Sequence, residues 1–253
     1  MSAPAYVLRG AGLRHGATRA LADIDVTITP GERVAVIGPS GAGKSSLLSL
    51  LNGAHHPTEG EVRVLGHDLA RLSARSRRTV QRRIGTVYQQ FHLVGQLRVV
   101  HNVNAGRLGD WSTWRAVWSL VAPRDLDPAR EILGRVGIAD KLLTRTDRLS
   151  GGEQQRVAIA RVLAQDPAVI LADEPIASLD PERGKAVVDR LTGLSRTSGT
   201  TLVVSLHDVG IALDRFDRVL GLRAGRLVLD LPPAQVTSGL LADTFRIDPA
   251  RQP

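Results

Sequence analysis

The 253-residue sequence predicts an α/β fold: a parallel sheet, an antiparallel β region near the N-terminus and an inserted α-helical segment. Three observations predict it. The apolar runs "RVAVIG" (33–38), "AVILADEP" (168–175) and "TLVVSLHD" (201–208) lack polar alternation and read as strands buried on both faces. Each leads into a segment of helical period, the alternation that builds a parallel sheet with helices on both faces. From about 92 to 148 the β signals give way to helical stretches broken by Pro123 and Pro128.

In chain order, "AYVLRG" and "DIDVTIT" open as β runs, and Pro30 with Gly31 marks the turn into "RVAVIG". A glycine loop then enters the helix "KSSLLSLLNG", "GEVRVLGHDL" reads as a short hairpin and the arginine-rich "ARSRRTVQRRIG" (74–85) as a helix. "GTVYQQF" is expected to be a strand ending near Gln89. The helical stretch holds "HNVNAGRL", "WSTWRAVWSLV" and "PAREILGRVGI". After "LSGGEQQ" a helix continues to about Leu163, and "PERGKAVVDRLTGLSRTSG" is a helix with glycine at its end. "VGIALDRF" is a further helix and "RVLGLRAGRLVLDL" a closing hairpin.

The composition narrows the function classes. With no cysteine, disulfides and thiolate metal sites are excluded, and the seven histidines show no paired metal-ligand spacing. No apolar run approaches the roughly 18 residues that span a bilayer. The opening "MSAPAYVLRG" lacks the features of a secretory leader, which points to the cytoplasm. The formal charge of +8 is almost wholly arginine, since lysine occurs only at 44, 141 and 185. That balance suits nucleic acid, acidic headgroups or a phosphorylated ligand, and equally a base-composition bias; the 74–85 cluster reads most simply as a solvated helix face.

Two motifs carry chemistry. Gly38, Pro39, Ser40, Gly41, Ala42, Gly43, Lys44 and Ser45, with Ser46 following, fit G-x-x-x-x-G-K-[ST] after a buried strand and before a helix. Such glycines let backbone N–H groups turn toward phosphate oxygens, Lys44 reaches the outer phosphates, and Ser45 can hold Mg²⁺. "VILADE" (169–174) ends a second buried strand on Asp173, placed to approach the metal, and Glu174, placed to deprotonate an attacking water. The plainer alternative is a carboxylate pair capping a strand end.

These two motifs, with "LSGGEQQ" at 149–155, "SLD" at 178–180 and His207, make the chain similar to the ATP-binding subunits of ABC transporters over nearly its whole length. The resemblance implies a P-loop NTPase (RecA-like) core formed with the β region by 1–91 and 160–253, and a helical subdomain at about 92–159, in one ABC ATPase domain over 1–253. It also implies ATP and Mg²⁺ as ligands and a head-to-tail dimer. There Ser150, Gly151, Gly152 and Glu153 of one copy close over the ATP held by Lys44 of the other. Gln89 resembles the residue near Mg²⁺ and the attacking water, with Gln90 as the competing choice, and His207 resembles the histidine that bonds the γ-phosphate. Asp180 would lie at the dimer seam; the alternative is an N-cap for the helix starting near Pro181. His15 stands where the family usually has an aromatic stacked on adenine, a departure that implies weaker adenine selectivity.

Within the family, "YQQFHLVGQLRVVHNVNAGRLG", the tryptophan segment and Ala172 with "PIASLD" most resemble ATPases of phosphonate importers, whose relatives take phosphate or phosphite. The resemblance implies two transmembrane permease subunits, a periplasmic or lipid-anchored substrate-binding protein as an indirect partner, attachment at the cytoplasmic face of the membrane, and no nucleic acid. Rival readings are an ATPase for export, lipoprotein release or cell division, and a soluble nucleic-acid-linked ATPase. Trp111, Trp114 and Trp118, spaced i, i+3 and i+7, share a helix face that reads as core, or else as a permease contact.

Overall fold

The computed structural model describes residues 3–88, 90–109, 111–112, 114, 118–119, 125–177 and 180–246. The strands are β1 Tyr6–His15, β2 Thr18–Ile28, β3 Arg33–Ile37, β4 Glu59–Val64, β5 His67–Asp68, β6 Ile84–Val87, β7 Val169–Asp173, β8 Thr201–Ser205, β9 Arg218–Arg223 and β10 Arg226–Leu231. The helices are α1 Lys44–Leu51, α2 Ala74–Gln81, α3 Val99–Asn104, α4 Leu126–Arg135, α5 Gly151–Ala164, α6 Pro181–Ser198, α7 Val209–Arg215 and α8 Ser238–Phe245. Two compact units result: residues 1–84 with 168–253, and residues 85–167, a segment wider at each end than the 92–159 drawn from sequence.

The first unit holds two sheets. β2, β1, β4 and β5 form an antiparallel sheet in that order, and β10, β9, β3, β8 and β7 stand side by side in another. β3 is parallel to both β8 and β9, and β7 is parallel to β8, while β10 returns antiparallel on β9. Central β3 shows why: Val34, Ala35, Val36 and Ile37 are all 0% exposed, so the strand needs cover on both faces. α1 supplies part of that cover through Leu47, Leu48, Leu50 and Leu51, which join Leu21, Ile24, Val64, Leu171 and Val203 in one core. Parallel neighbours all point their C-terminal ends the same way, which gathers Ile37, Asp173 and Ser205 at one edge.

Helix boundaries follow local chemistry. Asp180 accepts the N–H of Arg183 at 3.0 Å with Pro181 opening α6, and Gly199, at φ 67°, closes it in the left-handed region. Asp208 caps α7 by accepting from Ile211 N–H at 3.0 Å.

Four sequence readings change. β1 and β2 run longer than "AYVLRG" and "DIDVTIT", because Gly10 (φ 54°) and Asp23 (φ 56°) sit where the pairing register shifts, so the ladder passes through rather than ending. Helix α4 starts at Leu126, ahead of Pro128, since a first-turn proline costs no intrahelical bond. α8 escaped the sequence reading altogether, and its Thr237 cap carries no glutamate partner. The core reading fails for two of the three tryptophans: Trp114 is 75% and Trp118 47% exposed, their rings stacked with centroids 6.3 Å apart, while Trp111 is half-buried. Trp114→Ala should accordingly shift the melting temperature by less than about 3 °C, whereas a buried tryptophan would cost about 3–5 kcal/mol and far more degrees. Thermal melting of that variant checks it.

In the second unit α3, α4 and α5 pack together, and a buried polar hub fixes the loops beside them. The Asn102 amide donates to Val94 O and Thr146 Oγ1, its carbonyl accepts from Val94 N–H, and Thr146 Oγ1 donates to Leu97 O, all at 2.9–3.0 Å. Gly106 has no alternative, because a Cβ there would lie 2.1 Å from the Arg161 carbonyl oxygen. Arg161, its pKa lowered by burial, donates to the carbonyls of Phe91 (2.9 Å) and His92 (2.8 Å).

Candidate active site

The site grows from the C-terminal end of β3. Gly38 (φ 147°) permits a backbone turn in which a side chain would place Cβ 2.2 Å from the Leu222 carbonyl oxygen, and a Cβ at Gly43 (φ 107°) would lie 2.9 Å from Ala20 O. Both positions need glycine for conformation and for space. The loop they shape ends on α1, whose first-turn N–H groups are the ready-made anion site of a helix start.

Lys44, only 4% exposed, curls over its own loop. Its ammonium donates to the carbonyls of Gly38 (2.9 Å) and Pro39 (3.3 Å) and lies 3.6 Å from Glu174 Oε1. Burial holds its pKa below the ordinary lysine range, with Glu174 and Asp173 pulling the other way. An arriving polyphosphate must therefore exchange with ligands that Lys44 already has.

Glu174 and Asp173 leave the end of β7. Glu174 has φ 45°, a backbone region that side chains other than glycine seldom occupy. There its Oε1 meets His207 Nε2 at 2.6 Å as well as Lys44. Ser205 was not singled out in the sequence: its hydroxyl donates to Asp173 Oδ1 at 2.7 Å and accepts the Glu174 N–H at 2.8 Å. A cavity of about 300 Å³ joins Ser40, Gly41, Lys44, Ser45, Glu174 and His207, so the first unit brings both motifs and the histidine to one space. That space sets N–H groups and the Lys44 ammonium on the loop side against the Glu174 carboxylate on the other.

The remaining site residues divide. His15 ends β1 with its ring edge-on to His55, centroids 5.1 Å apart at 82°. Asp180 is the N-cap of α6, as the alternative reading had it. Gln89, Ser178 and Leu179 lie outside the described residues.

In the second unit, Ser150 caps α5 through a reciprocal box: Glu153 N–H donates to Ser150 Oγ at 3.3 Å, and the Ser150 N–H and hydroxyl both donate to Glu153 Oε2 at 2.9 Å. Those Ser150 donors, with Lys141 adding, hold the Glu153 carboxyl below its usual range. Gly151 and Gly152 differ from Gly38 and Gly43, for apart from their chain neighbours and their own helix backbone no described atom lies within 4 Å of a Cβ added at either. Nothing within the described chain demands glycine there.

Residues 21–177 match the protein family described as ABC transporter. The chain belongs to this family. Among curated ABC relatives, the phosphonates import ATP-binding protein PhnC of Pseudomonas putida is 47% identical over 92% of this chain and 87% of its own length. Its counterpart in Anaeromyxobacter dehalogenans is 49% identical over 99% of this chain, which spans 51% of that relative. Of solved ABC structures, cbiO1 from Clostridium perfringens, part of the transporter complex cbiONQ, matches with TM-score 0.80 at 27% identity, covering 92% of this chain and 90% of that one. The dimeric structure of MJ0796, a bacterial ABC transporter cassette, matches with TM-score 0.75 at 31% identity over 90% and 98%. No helix among the described residues is long and apolar enough to cross a membrane.

Proposed function

We propose that the chain is the ATP-hydrolysing subunit of an ABC importer for phosphonates or a related phosphorus oxyanion, working at the cytoplasmic face of the membrane as a dimer beneath two permease subunits. The observation that carries the hydrolytic part is Glu174, whose Oε1 contacts both His207 and Lys44 beside the glycine loop. Relatives named for phosphonates import support the anion. A periplasmic or lipid-anchored substrate-binding protein completes the system in this reading.

In the mechanism, the loop from Gly38 to Ser46 takes the phosphates through its N–H groups, and Lys44 moves from the Gly38 and Pro39 carbonyls to the outer oxygens. His207 turns its Nε2 from Glu174 to the γ-phosphate. That exchange frees the Glu174 carboxylate to accept a proton from water as the water attacks the γ-phosphorus and the bond to the β–γ bridging oxygen breaks, ADP leaving with that oxygen. Ser45 and Asp173 would offer hard oxygens to a Mg²⁺ arriving with the nucleotide, and Gln89 would stand near it. When bound, Mg²⁺ neutralises charge developing on the β- and γ-phosphates. The open flanks of Gly151 and Gly152 suit the close approach of a second copy's nucleotide, the helix start adding its own N–H groups. The Ser150 hydroxyl, which donates to Glu153 here, then turns to that phosphate, while Asp180 faces the seam. The exposed Trp114–Trp118 pair fits the permease contact better than a core.

His15 offers a smaller stacking face than tyrosine, so ATP and GTP should give kcat/KM values within about tenfold of each other. Steady-state kinetics with both nucleotides checks this, and a preference for ATP well beyond that range contradicts it. The functional reading as a whole is tested by affinity purification of the Glu174→Gln variant from source-cell membranes with Mg²⁺ and ATP. Recovery of a multi-span permease and a binding protein with phosphonate affinity supports it. Recovery of soluble or nucleic-acid partners alone overturns the transport reading.

A further inference from the structure

We propose that Ser205 is a positioning residue for hydrolysis, a single hydroxyl that sets both the metal-facing carboxylate of Asp173 and the backbone that aims Glu174. The inference rests on the ATP-hydrolysing reading above. Ser205 ends β8, where parallel pairing places it beside Val36 of the glycine-loop strand on one side and Asp173 on the other. It is 0% exposed, so neither its hydrogen nor its lone pairs have water as a substitute partner. The hydrogen goes to Asp173 Oδ1 at 2.7 Å, which commits that oxygen and fixes the carboxylate plane. A lone pair takes the Glu174 N–H at 2.8 Å.

That second bond falls where the backbone is strained. Glu174 has φ 45°, and a non-glycine residue stays in that region only when its surroundings hold it there. The left-handed turn swings the side chain out of line with β7 and toward His207 and Lys44, which lie 2.6 and 3.6 Å from Oε1. One serine therefore orients two acids with different duties. Removing its Oγ leaves Asp173 Oδ1 without this donor and the Glu174 N–H without this acceptor, both at half-buried residues. An outer hydrogen-bond partner of a metal-binding carboxylate typically changes metal affinity about 10- to 100-fold when deleted.

The test compares wild type, Ser205→Ala, Ser205→Thr and Glu174→Gln. In the nucleotide-free protein, Ser205→Ala should speed amide hydrogen exchange at Glu174 by about tenfold or more. With a non-hydrolysable ATP analogue, Mn²⁺ affinity read by electron paramagnetic resonance should fall by about tenfold or more. Metal-free affinity for the same analogue should stay within about twofold, since the Lys44 loop is untouched. The alanine variant's kcat should fall by about tenfold or more with little change in KM, and Ser205→Thr should recover most of it by restoring the hydroxyl. If alanine destabilises the fold below assay temperature, Ser205→Cys, a weak donor of similar volume, carries the same comparison. Normal Mn²⁺ affinity and normal kcat in the alanine or cysteine variant would overturn the role of Ser205. Equal loss of metal-free nucleotide binding would overturn it as well, by showing general damage. Wild-type turnover in Glu174→Gln would instead overturn the hydrolytic reading on which the inference stands.

Discussion

Glu174→Gln lowers kcat by about 10²- to 10⁴-fold, the usual worth of a positioned general base, while ATP binding survives. Glutamine keeps the shape and can still accept a hydrogen bond from His207 Nε2, which lies 2.6 Å from Oε1 in the native site. It cannot take a proton from water. It also removes a negative charge from the cavity that would hold the phosphates, so the affinity for ATP should stay level or rise. Phosphate-release kinetics and equilibrium nucleotide binding on the same preparation separate the two effects. A variant that still turns over within tenfold of wild type would assign the proton to another group.

Lys44→Ala has the second large effect and the opposite signature. Lys44 is 4% exposed and its ammonium is bonded to the Gly38 and Pro39 carbonyls at 2.9 and 3.3 Å, so it is held at the loop before any ligand arrives. A hydrogen bond to a charged group is worth about 1.5–3 kcal/mol, which corresponds to about a 10- to 150-fold loss of ATP affinity. The loss compounds because Glu174, 3.6 Å away, then faces the phosphates without its cation. Titration calorimetry with ATP reads the change directly. Wild-type affinity in this variant would mean that the backbone loop alone holds the phosphates.

Legibility from sequence tracked how local each feature is. The glycine loop and the "VILADE" strand could be read because each is a contiguous pattern whose chemistry dictates its residue types, whereas His207, one residue at a strand end, was singled out only by the family resemblance. Their meeting in one cavity follows from parallel pairing of β3, β7 and β8, and the alternation of strands and helices implied it. Ser205 was not legible, since a serine inside "TLVVSLHD" acquires its role only from a register that sets it opposite Asp173. The full length of β1 and β2 was hidden by Gly10 and Asp23, residue types that mark turns in most sequences and here sit where the register shifts. The tryptophan spacing gave a shared face but not its direction, because period alone cannot tell a face turned inward from one turned to solvent. Asp180 shows the converse: its cap on α6 is legible from "DPE" alone, whereas a role at a seam needs a second chain.

The central claim is that two copies close head to tail on ATP, each lending the start of α5 to the other's glycine loop. The measurement that tests it most directly is the molar mass of Glu174→Gln in solution, by light scattering with and without Mg²⁺ and ATP, together with the bound nucleotide per chain. The account predicts a monomer without nucleotide and a dimer with it, holding one ATP per chain. A chain that binds ATP at full occupancy and stays monomeric would contradict it.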